Sequence, residues 1–366
     1  MDPSAADGSP GGDPGIRADG STNLPTSPSV DVLVIGAGPV GLACAIEANR
    51  RGLTARVIDK GALVNSIVGY PNRMELFSTP ELIEIGGHPF ATTRYKPTRE
   101  EAIDYYRGVA RAEALDLRLY ERVVGLEGQL DHFTVATDKG GRRGAHRCRR
   151  VVVATGFFDI PNRLGLEGES EPRVVHYYKE PYAYTGQRVA VVGGKNSAVK
   201  AALDCYRNGA EVTLIHRGGS LTSSVKYWLR PDIENRIKEG SISAYFQSRL
   251  TALEEGAVRL ETPDGEVRIG NDFVLAMTGY RPDYSFFEKL GIDIEEDRAR
   301  TPIHDPVSFE TPRPGLYLAG TVCGGLATSR WFIENGRHHA QQIAAHIADG
   351  RAPDVDLKAQ HWKTAE

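Results

Sequence analysis

Three glycines early in the chain have a spacing suited to binding phosphate. Gly36, Gly38 and Gly41 follow an apolar run of strand type and open a run with helical periodicity, within residues 31–61, DVLVIGAGPVGLACAIEANRRGLTARVIDKG. Glycines there permit a tight turn, and the helix N-terminus offers backbone amides to a pyrophosphate. Asp59 ends the second strand, where a carboxylate accepts a hydrogen bond from a free ribose 2′-hydroxyl and repels a 2′-phosphate. We expect FAD or NAD here, bound by Gly36, Gly38, Pro39, Gly41, Asp59 and Lys60.

A second stretch repeats this layout with different residues at the informative positions. Residues 188–218 read RVAVVGGKNSAVKAALDCYRNGAEVTLIHRG, again a strand, a glycine turn, a helix and a strand. Lys195 stands where the second glycine would be, either binding a phosphate or remaining a solvated loop lysine. His216 and Arg217 replace the acid, and an imidazole and a guanidinium favour a 2′-phosphate. We therefore predict NADPH, bound by Gly193, Gly194, Lys195, Asn196, Ser197, Ala198, His216 and Arg217.

The composition limits the kinds of partner. The 366 residues are 40% hydrophobic and 25% charged, which suffices for two or more packed domains. The net charge of −4 provides no basic surface for nucleic acid or an anionic membrane, and no apolar run has the length of a membrane span. Residues 1–29 are rich in Gly, Pro, Ser and Asp and predict a disordered leader without the layout of a signal peptide. We expect a cytoplasmic protein that is a possible homo-oligomer.

Several segments outside the two repeats predict individual elements. Thr98 and Glu101 have the spacing of a capping box and predict the start of a helix. Apolar strands are expected in residues 151–161, 273–282 and 316–320, and one long helix over residues 329–347. The four cysteines are scattered with no CxxC pair and no metal-ligand spacing, so neither a dithiol nor a metal site is expected.

Four further motifs carry a resemblance. They are FSTPELIEIGG at 77–87, VVGGKNSAVKAALD at 191–204, KYWLRPDIEN at 226–235 and FIENGRHHA at 332–340. With them the chain resembles the two-dinucleotide flavoproteins of the thioredoxin reductase type, and among these the YpdA-type bacillithiol disulfide reductases. The resemblance implies FAD in the first site, NADPH in the second and passage of a hydride from nicotinamide to flavin. It also implies FAD contacts from Ser78, Thr155, Gly156, Gly320 and Thr321.

The resemblance further implies an α/β fold with two Rossmann-like dinucleotide-binding domains. The NADPH domain is expected as an insertion in a discontinuous FAD domain, since the strands ending near Gly156 and Gly279 mark crossings between domains. The expected divisions are a leader at 1–29, the first part of the FAD domain at 30–160, the NADPH domain at 161–275, the second part of the FAD domain at 276–350 and a tail at 351–366.

Two positions depart from the pattern of the resembled proteins. Val40 stands where bacillithiol-associated members often carry a cysteine, and Thr321 stands where the wider superfamily commonly has an aspartate. A Thr321 hydroxyl can donate to a flavin ribityl or phosphate oxygen. Cys323 follows Thr321 by two residues, so it is the candidate catalytic thiol, whereas Cys44, Cys148 and Cys205 are expected to be structural.

The sequence leaves the electron acceptor open. A small disulfide, a quinone or a small electron-transfer protein would each fit, which includes ferredoxin/flavodoxin–NADP reductase-like and quinone reductase functions. His176 and Pro181 match only part of a flavin monooxygenase fingerprint, so that reading is a minor alternative. A redox sensor that does not catalyse would use the same motifs. His338 and His339 are weak candidates for a general acid.

Overall fold

The structure, a computed structural model, describes residues 26–350. The predicted tail at 351–366 lies outside the described residues, as do the first 25 residues of the predicted leader. The strands are β1 (Thr26–Ile35), β2 (Ala55–Ile58), β3 (Asp116–Arg118), β4 (Arg122–Gln129), β5 (His132–Lys139), β6 (Arg142–Val153), β7 (Ile160–Pro161), β8 (Val174–Val175), β9 (Arg188–Val192), β10 (Glu211–His216), β11 (Ser243–Phe246), β12 (Arg249–Glu254), β13 (Ala257–Thr262), β14 (Gly265–Gly270), β15 (Phe273–Ala276), β16 (Tyr280–Arg281) and β17 (Leu316–Leu318).

The helices between these strands include long helices on the sheets and short turns near the glycine motifs. They are α1 (Pro39–Arg50), α2 (Asn65–Gly69), α3 (Pro80–Ile83), α4 (Arg99–Ala112), α5 (Asn196–Arg207), α6 (Arg230–Lys238), α7 (Tyr284–Leu290), α8 (Ile333–Gly336) and α9 (His339–Asp349), with 3₁₀ turns at Tyr182–Tyr184 and Gly320–Gly324. None of the helices in the described part of the chain is long and apolar enough to cross a membrane. The capping box predicted at Thr98 is confirmed, because Thr98 and Glu101 exchange both bonds at the start of α4.

The first sheet has the order β3-β2-β1-β6-β5-β4, and β17 pairs with β6 as well. β1 lies at its centre, and its apolar run is buried on both faces, as parallel strands covered by helices require. β6 changes partners along its length. On one side it pairs parallel with β1 from Ala145 to Val153, and on the other side its first part pairs antiparallel with β5 and its end at Val151 to Val153 pairs parallel with β17. The end of β6 therefore lies between the first fingerprint strand and the returning chain.

The second sheet is parallel, with the order β11-β10-β9-β15-β8, and an antiparallel sheet of β12, β13 and β14 adjoins it in the chain. All these strands fall between β6 and β17, so the second domain is an insertion in the first, and the predicted fold class is confirmed. The chain crosses between the domains twice, where β7 pairs antiparallel with β16. β15 ends at Ala276, one residue past the predicted division at 275, and β1 begins at Thr26, inside the predicted leader.

The predicted long helix over residues 329–347 is wrong, because α8 and α9 are separate helices. Gly336 ends α8, where a Cβ would lie 3.2 Å from the Cα of Gly320. The next residue, Arg337, donates to the carbonyl oxygens of Glu81 and Glu84, at 3.0 and 2.5 Å. This close packing and these two hydrogen bonds hold residues 337–338 in a turn, and the turn separates α8 from α9.

Aromatic rings pack where the chain crosses between the domains. The Phe158 ring lies 4.4 Å from that of Tyr280, and Tyr177 stacks on Tyr280 at 5.4 Å. Beside them, Lys179 Nζ donates to the carbonyl oxygens of Val68 and Gly69 at 3.0 and 2.7 Å. The Tyr177 ring thus packs at the crossing, whereas Tyr178 and Tyr184 pack in the core of the second domain. Aromatic rings at the crossing and the bonds of Lys179 to backbone carbonyl oxygens of α2 fix the relative position of the two domains.

Candidate functional site

The first glycine turn is tightly packed on its inner side and open on its outer side. Gly36 has φ +114°, and a Cβ there would lie 2.5 Å from the carbonyl oxygen of Ala154 at the end of β6. A Cβ on Gly41 would overlap the Gly36 carbonyl oxygen. Gly38 is the N-cap of α1, with Pro39 next, and no protein atom lies within 4 Å of where its Cβ would be. The inner glycines serve backbone packing, and the space at Gly38 is available to a phosphate at the helix N-terminus.

Asp59, the residue after β2, is hydrogen-bonded to this turn. Its carboxylate accepts hydrogen bonds from the backbone N–H groups of Ala37 at 2.7 Å and Gly61 at 2.8 Å. Burial raises the pKa of Asp59, and the bonds from Gly61 and Ala37 oppose that rise. A carboxylate held in this way presents its remaining lone pairs to the pocket, as recognition of a ribose 2′-hydroxyl requires. The adjacent Lys60 forms an ion pair with Asp159 at 2.8 Å.

A pocket extends from this turn to the returning part of the chain. Its lining contains most of the residues predicted to bind FAD, namely Gly36, Gly38, Pro39, Asp59, Lys60, Thr155, Gly156, Gly320 and Thr321. The two strand ends converge there, because a Cβ on Gly156 would lie 3.7 Å from the Thr321 Oγ1. Gly41 packs beneath the turn instead of lining the pocket. Ser78 is also outside the lining and donates to Glu334, which does not support the predicted contact with FAD.

The pocket also includes residues that were not predicted from the sequence to bind FAD. They come from the start of α2, from the residue before β4, from the second crossing and from the beginning of α8 with its N-cap: Asn65, Ser66, Glu121, Arg281, Asp283, Phe332 and Ile333. Phe332 and Ile333 begin the FIENGRHHA motif, which was not assigned to the cofactor, and no motif marks the other five positions. The short polar stretch after Asp59 and the polar residues after the crossing strand are the weak signals that could have suggested the first and third groups.

The features of this pocket fit FAD. The space outside Gly38 at the α1 N-terminus accommodates a pyrophosphate, and Asp59 is placed for a ribose. Apolar side chains such as Val40, Phe158 and Phe332 line the rest of the pocket, as a planar ring system requires. The Val40 side chain packs against the 3₁₀ turn at Gly320 and against the end of α8. A Cβ on Gly320 would lie 3.2 Å from this side chain, and a Cβ on Gly336 would lie 3.4 Å from it.

The second glycine turn has the same inner packing but a more exposed outer side. Gly193 has φ +151°, and a Cβ there would lie 2.5 Å from the carbonyl oxygen of Met277. Lys195 is the N-cap of α5, and both Lys195 and Ser197 are exposed. Asn196 is engaged by its own chain: its Oδ1 accepts from the Lys226 N–H at 2.9 Å and its Nδ2 donates to the Ser224 carbonyl at 3.1 Å. The Asn196 side chain therefore positions the loop after β10, and the free α5 N-terminus is left for a phosphate.

His216 and Arg217 differ in what they can offer a 2′-phosphate. The imidazole lies between Gly194 and Gly218, and a Cβ on Gly218 would be 2.8 Å from its Nε2. Burial lowers the pKa of His216, and the neighbouring Arg217 lowers it further. Arg217 is exposed and forms no ion pair among the described residues. The guanidinium is thus the permanent positive charge at this strand end, and the imidazole is largely neutral near pH 7.

The structure does not support Cys323 as a reactive thiol. Its side chain is 1% exposed, and burial raises the pKa of Cys323 far above that of a free thiol. Residues 320–324 form a 3₁₀ turn, so Thr321 lines the pocket while the Cys323 Sγ lies 3.8 Å from His339 Nδ1. Burial also raises the pKa of Cys44, Cys148 and Cys205 to about 12 each. Since thiolates are the reactive form, none of the chain's four cysteines is suited to redox chemistry in this arrangement.

His339 has a structural position. It is fully buried in α9, and its Nδ1 accepts the backbone N–H of Gly320 at 3.1 Å. Burial lowers the pKa of His339, so its ring is neutral and holds the turn that carries Thr321. A general-acid role is not supported for a side chain in this position.

Comparison with known proteins shows the family to which the chain belongs. The family model for the pyridine nucleotide-disulphide oxidoreductases matches residues 33–320. The chain belongs to this family of enzymes, which generally depend on FAD and NAD(P), and it is an oxidoreductase. It is 39% identical over 318 residues to the bacilliredoxin reductase Bdr of Bacillus subtilis (strain 168), covering 86% of this chain and 97% of the relative.

Two further relatives are similar to this chain over most of its length. The bacillithiol disulfide reductase Bdr (YpdA) from Bacillus cereus superposes with a TM-score of 0.86 at 37% identity, over 88% of this chain and all of that one. A ferredoxin–NADP reductase of Paraburkholderia phymatum is 29% identical over 329 residues, covering 87% of this chain and 89% of the relative. The resemblance to YpdA-type proteins read from the sequence is confirmed.

Proposed function

We propose that this protein is an NADPH-dependent FAD oxidoreductase that reduces a small acceptor without using a protein thiol. One observation supports this most strongly: two glycine turns of the same design end in opposite charges, Asp59 at the first and Arg217 beside His216 at the second. A carboxylate favours an unphosphorylated ribose and a guanidinium favours a phosphorylated one.

In the first site, the α1 N-terminus would hold the pyrophosphate and Asp59 the adenosine ribose of FAD. Thr155, Gly156, Gly320 and Thr321 would contact the flavin portion, since they line the pocket on the two strand ends that converge beside Val40. When bound, FAD would supply the ability to take a hydride from NADPH and to give two electrons to an acceptor. With FAD bound, the apolar side chains that line the pocket would limit the access of water to the flavin portion.

In the second site, the α5 N-terminus would bind the pyrophosphate of NADPH. Arg217 would pair with its 2′-phosphate, and neutral His216 would add a hydrogen bond. Because Lys195 and Ser197 at the helix start are exposed, NADP⁺ can leave and NADPH can enter during each turnover.

The acceptor would receive electrons directly, because the four thiols are buried and Val40 occupies the position of the cysteine in the resembled proteins. With a disulfide, NADPH, one proton and the disulfide give NADP⁺ and two thiols. With a quinone, the same two electrons and two protons give a hydroquinone. A small disulfide follows the activity named for the relative from Bacillus cereus.

A one-electron carrier protein is the second candidate. The likeness to a ferredoxin–NADP reductase over 87% of this chain and the presence of valine at position 40 favour it, since such an acceptor needs no thiol. In that case NADPH would reduce two carrier molecules in successive one-electron steps and release one proton.

The test is anaerobic mixing of the purified protein with NADPH, followed by addition of acceptors. We expect the flavin absorbance to bleach and then to return on adding a small disulfide or a quinone. Return with oxidised ferredoxin-type carriers alone would select the second candidate. Protein that binds flavin but is not reduced by NADPH would contradict the proposal.

A further inference from the structure

Two lysines from different domains face one exposed indole ring near the mouth of the first-site pocket. The Lys96 Nζ lies 3.9 Å from the centroid of Trp228, and the Lys226 Nζ lies 5.7 Å from the same ring. The Lys226 Nζ is also 5.9 Å from the ring of Phe77. Phe77 and Trp228 are 42% and 41% exposed, which is unusual for such large rings. We call these four side chains the Lys96–Lys226 patch.

Both halves of the patch are held in place by their own domains. On the first domain, the Leu76 N–H donates to the Pro97 carbonyl at 2.9 Å, and Glu75 pairs with Thr98. On the second, the Lys226 N–H donates to Asn196 Oδ1 at 2.9 Å. The patch therefore has a defined geometry while the two domains keep this arrangement. Its Lys226 half is hydrogen-bonded to Asn196, which belongs to the glycine turn that is expected to bind NADPH.

The two lysines of the patch are not held in ion pairs. Neither Lys96 nor Lys226 forms an ion pair with a carboxylate in residues 26–350. Burial and the nearby Lys226 ammonium lower the pKa of Lys96, while Glu75 and Glu334 act in the opposite direction from beyond ion-pair distance. Two like charges beside one ring repel each other, and a bound anion would relieve that repulsion.

A hydrogen bond between residues next to each of them connects the patch and the pocket. Ser78, next to Phe77, donates to Glu334, and the two residues before Glu334, Phe332 and Ile333, line the pocket. Phe332 is 48% exposed, so the pocket lining reaches the surface here. A molecule bound to the patch would be adjacent to the apolar part of the pocket, at a junction between domains where small-molecule sites are common.

We infer that the Lys96–Lys226 patch binds a small electron acceptor that carries negative charge next to an apolar or aromatic body. This inference rests on the proposed function and names the acceptor's chemistry. The two ammonium groups converge on a single ring, which suits the acidic groups of a small molecule better than the dispersed charges on the surface of a carrier protein. Trp228 and Phe77 would contact the body of the acceptor, and the lysines would pair with its acidic groups.

The test compares charged and neutral acceptors of the same kind. The disulfide pair is 5,5′-dithiobis(2-nitrobenzoate) and neutral 4,4′-dithiodipyridine, and the quinone pair is 1,4-naphthoquinone-2-sulfonate and menadione. For Lys96→Gln and Lys226→Gln, the ratio of kcat/KM for the anionic over the neutral partner should fall about three- to tenfold each, mainly through KM. Lys226→Arg should retain most of the ratio, and Lys238→Gln, an exposed lysine on α6, is the matched control that should leave it unchanged.

A binding measurement separates this inference from the proposed function. Calorimetric titration of the oxidised holoenzyme with 5,5′-dithiobis(2-nitrobenzoate) requires no turnover, and the buried thiols do not exchange with it. Binding that weakens in both glutamine variants and at higher salt supports the patch even where NADPH reduces no disulfide. Equal losses with anionic and neutral acceptors, slower reduction of the flavin by NADPH in the variants, or charge dependence with a carrier protein alone would overturn it.

Discussion

The two glycine turns of this protein share a backbone design and differ in what surrounds them. At the first, Gly38 opens onto a pocket lined by both parts of the first domain, and Asp59 is bonded to the turn itself. At the second, Lys195 and Ser197 are exposed, and the side chain of Asn196 is bonded to a neighbouring loop. Under the proposed function, the βαβ unit that the returning chain covers would retain its cofactor, and the uncovered one would exchange its cofactor.

The largest expected effect is on the first turn. Replacing Gly41 by Ala would place a methyl group against the Gly36 carbonyl, so α1 must move away from β1 and the pyrophosphate site is lost. We expect purified Gly41→Ala protein to contain little or no flavin, measured as flavin absorbance per chain.

Gly108 provides the matched control for that change. It is exposed within α4, and a Cβ there would have no neighbour within 4 Å. Gly108→Ala should keep full flavin content and gain about 0.5 to 1 kcal/mol in free energy of unfolding, since alanine is the better helix former. Normal flavin content in Gly41→Ala would refute the assignment of the first turn.

A smaller effect is expected at the second strand end. Arg217→Ala removes the permanent charge that we assign to the 2′-phosphate, so the kcat/KM preference for NADPH over NADH should fall about tenfold or more. Arg142→Ala, an exposed arginine on β6 of the first domain, should leave the preference unchanged. An unaltered ratio in Arg217→Ala would mean that another residue recognises the phosphate.

The pH dependence of that preference should be weak. Burial and Arg217 lower the pKa of His216 below its usual 6.5, so its charged form is present only at lower pH. Because the pKa of His216 lies below 6.5, the imidazole is mostly neutral above about pH 7.5, and the NADPH to NADH ratio should vary less than about twofold between about pH 7.5 and about pH 8.5. A steady fall of the ratio through about pH 7 would show that a protonated His216 carries the selectivity.

No effect is expected from thiol reagents on the unmodified protein. Because the four cysteines are buried and their pKa values are raised, iodoacetamide should leave acceptor reduction unchanged. Val40→Cys places a thiol in the pocket lining, and this variant should lose activity on the same treatment if its thiolate becomes accessible there. Inactivation of the unmodified enzyme, with a labelled cysteine identified by mass spectrometry, would contradict the thiol-free mechanism.

Local patterns predicted the parts of the fold that depend on neighbouring residues in the chain. The capping box at Thr98, the strands at β6, β15 and β17, and the two glycine units were all accessible, because turn chemistry and apolar periodicity act over a few residues. The insertion of the second domain came from the resemblance and is confirmed by the pairing of β17 with β6.

The features that the sequence did not predict depend on distant contacts. The break between α8 and α9 arises from packing of Gly336 on Gly320 and from bonds of Arg337 to α3 and the following residue, all far apart in the chain. The burial of Cys323 arises from the 3₁₀ turn, which directs residues 321 and 323 to different sides. The engagement of Asn196 by Lys226 likewise depends on how a loop folds back.

The division between a retained and an exchanging nucleotide is tested most directly by the cofactors that remain after gel filtration. The protein is incubated with excess FAD and NADP⁺, passed over the column, and its bound nucleotides are released by heat and identified. We predict FAD at about one molecule per chain and almost no NADP⁺, because the first turn is enclosed and the second is open. Retained NADP⁺ with FAD lost, or both lost equally, would contradict this account.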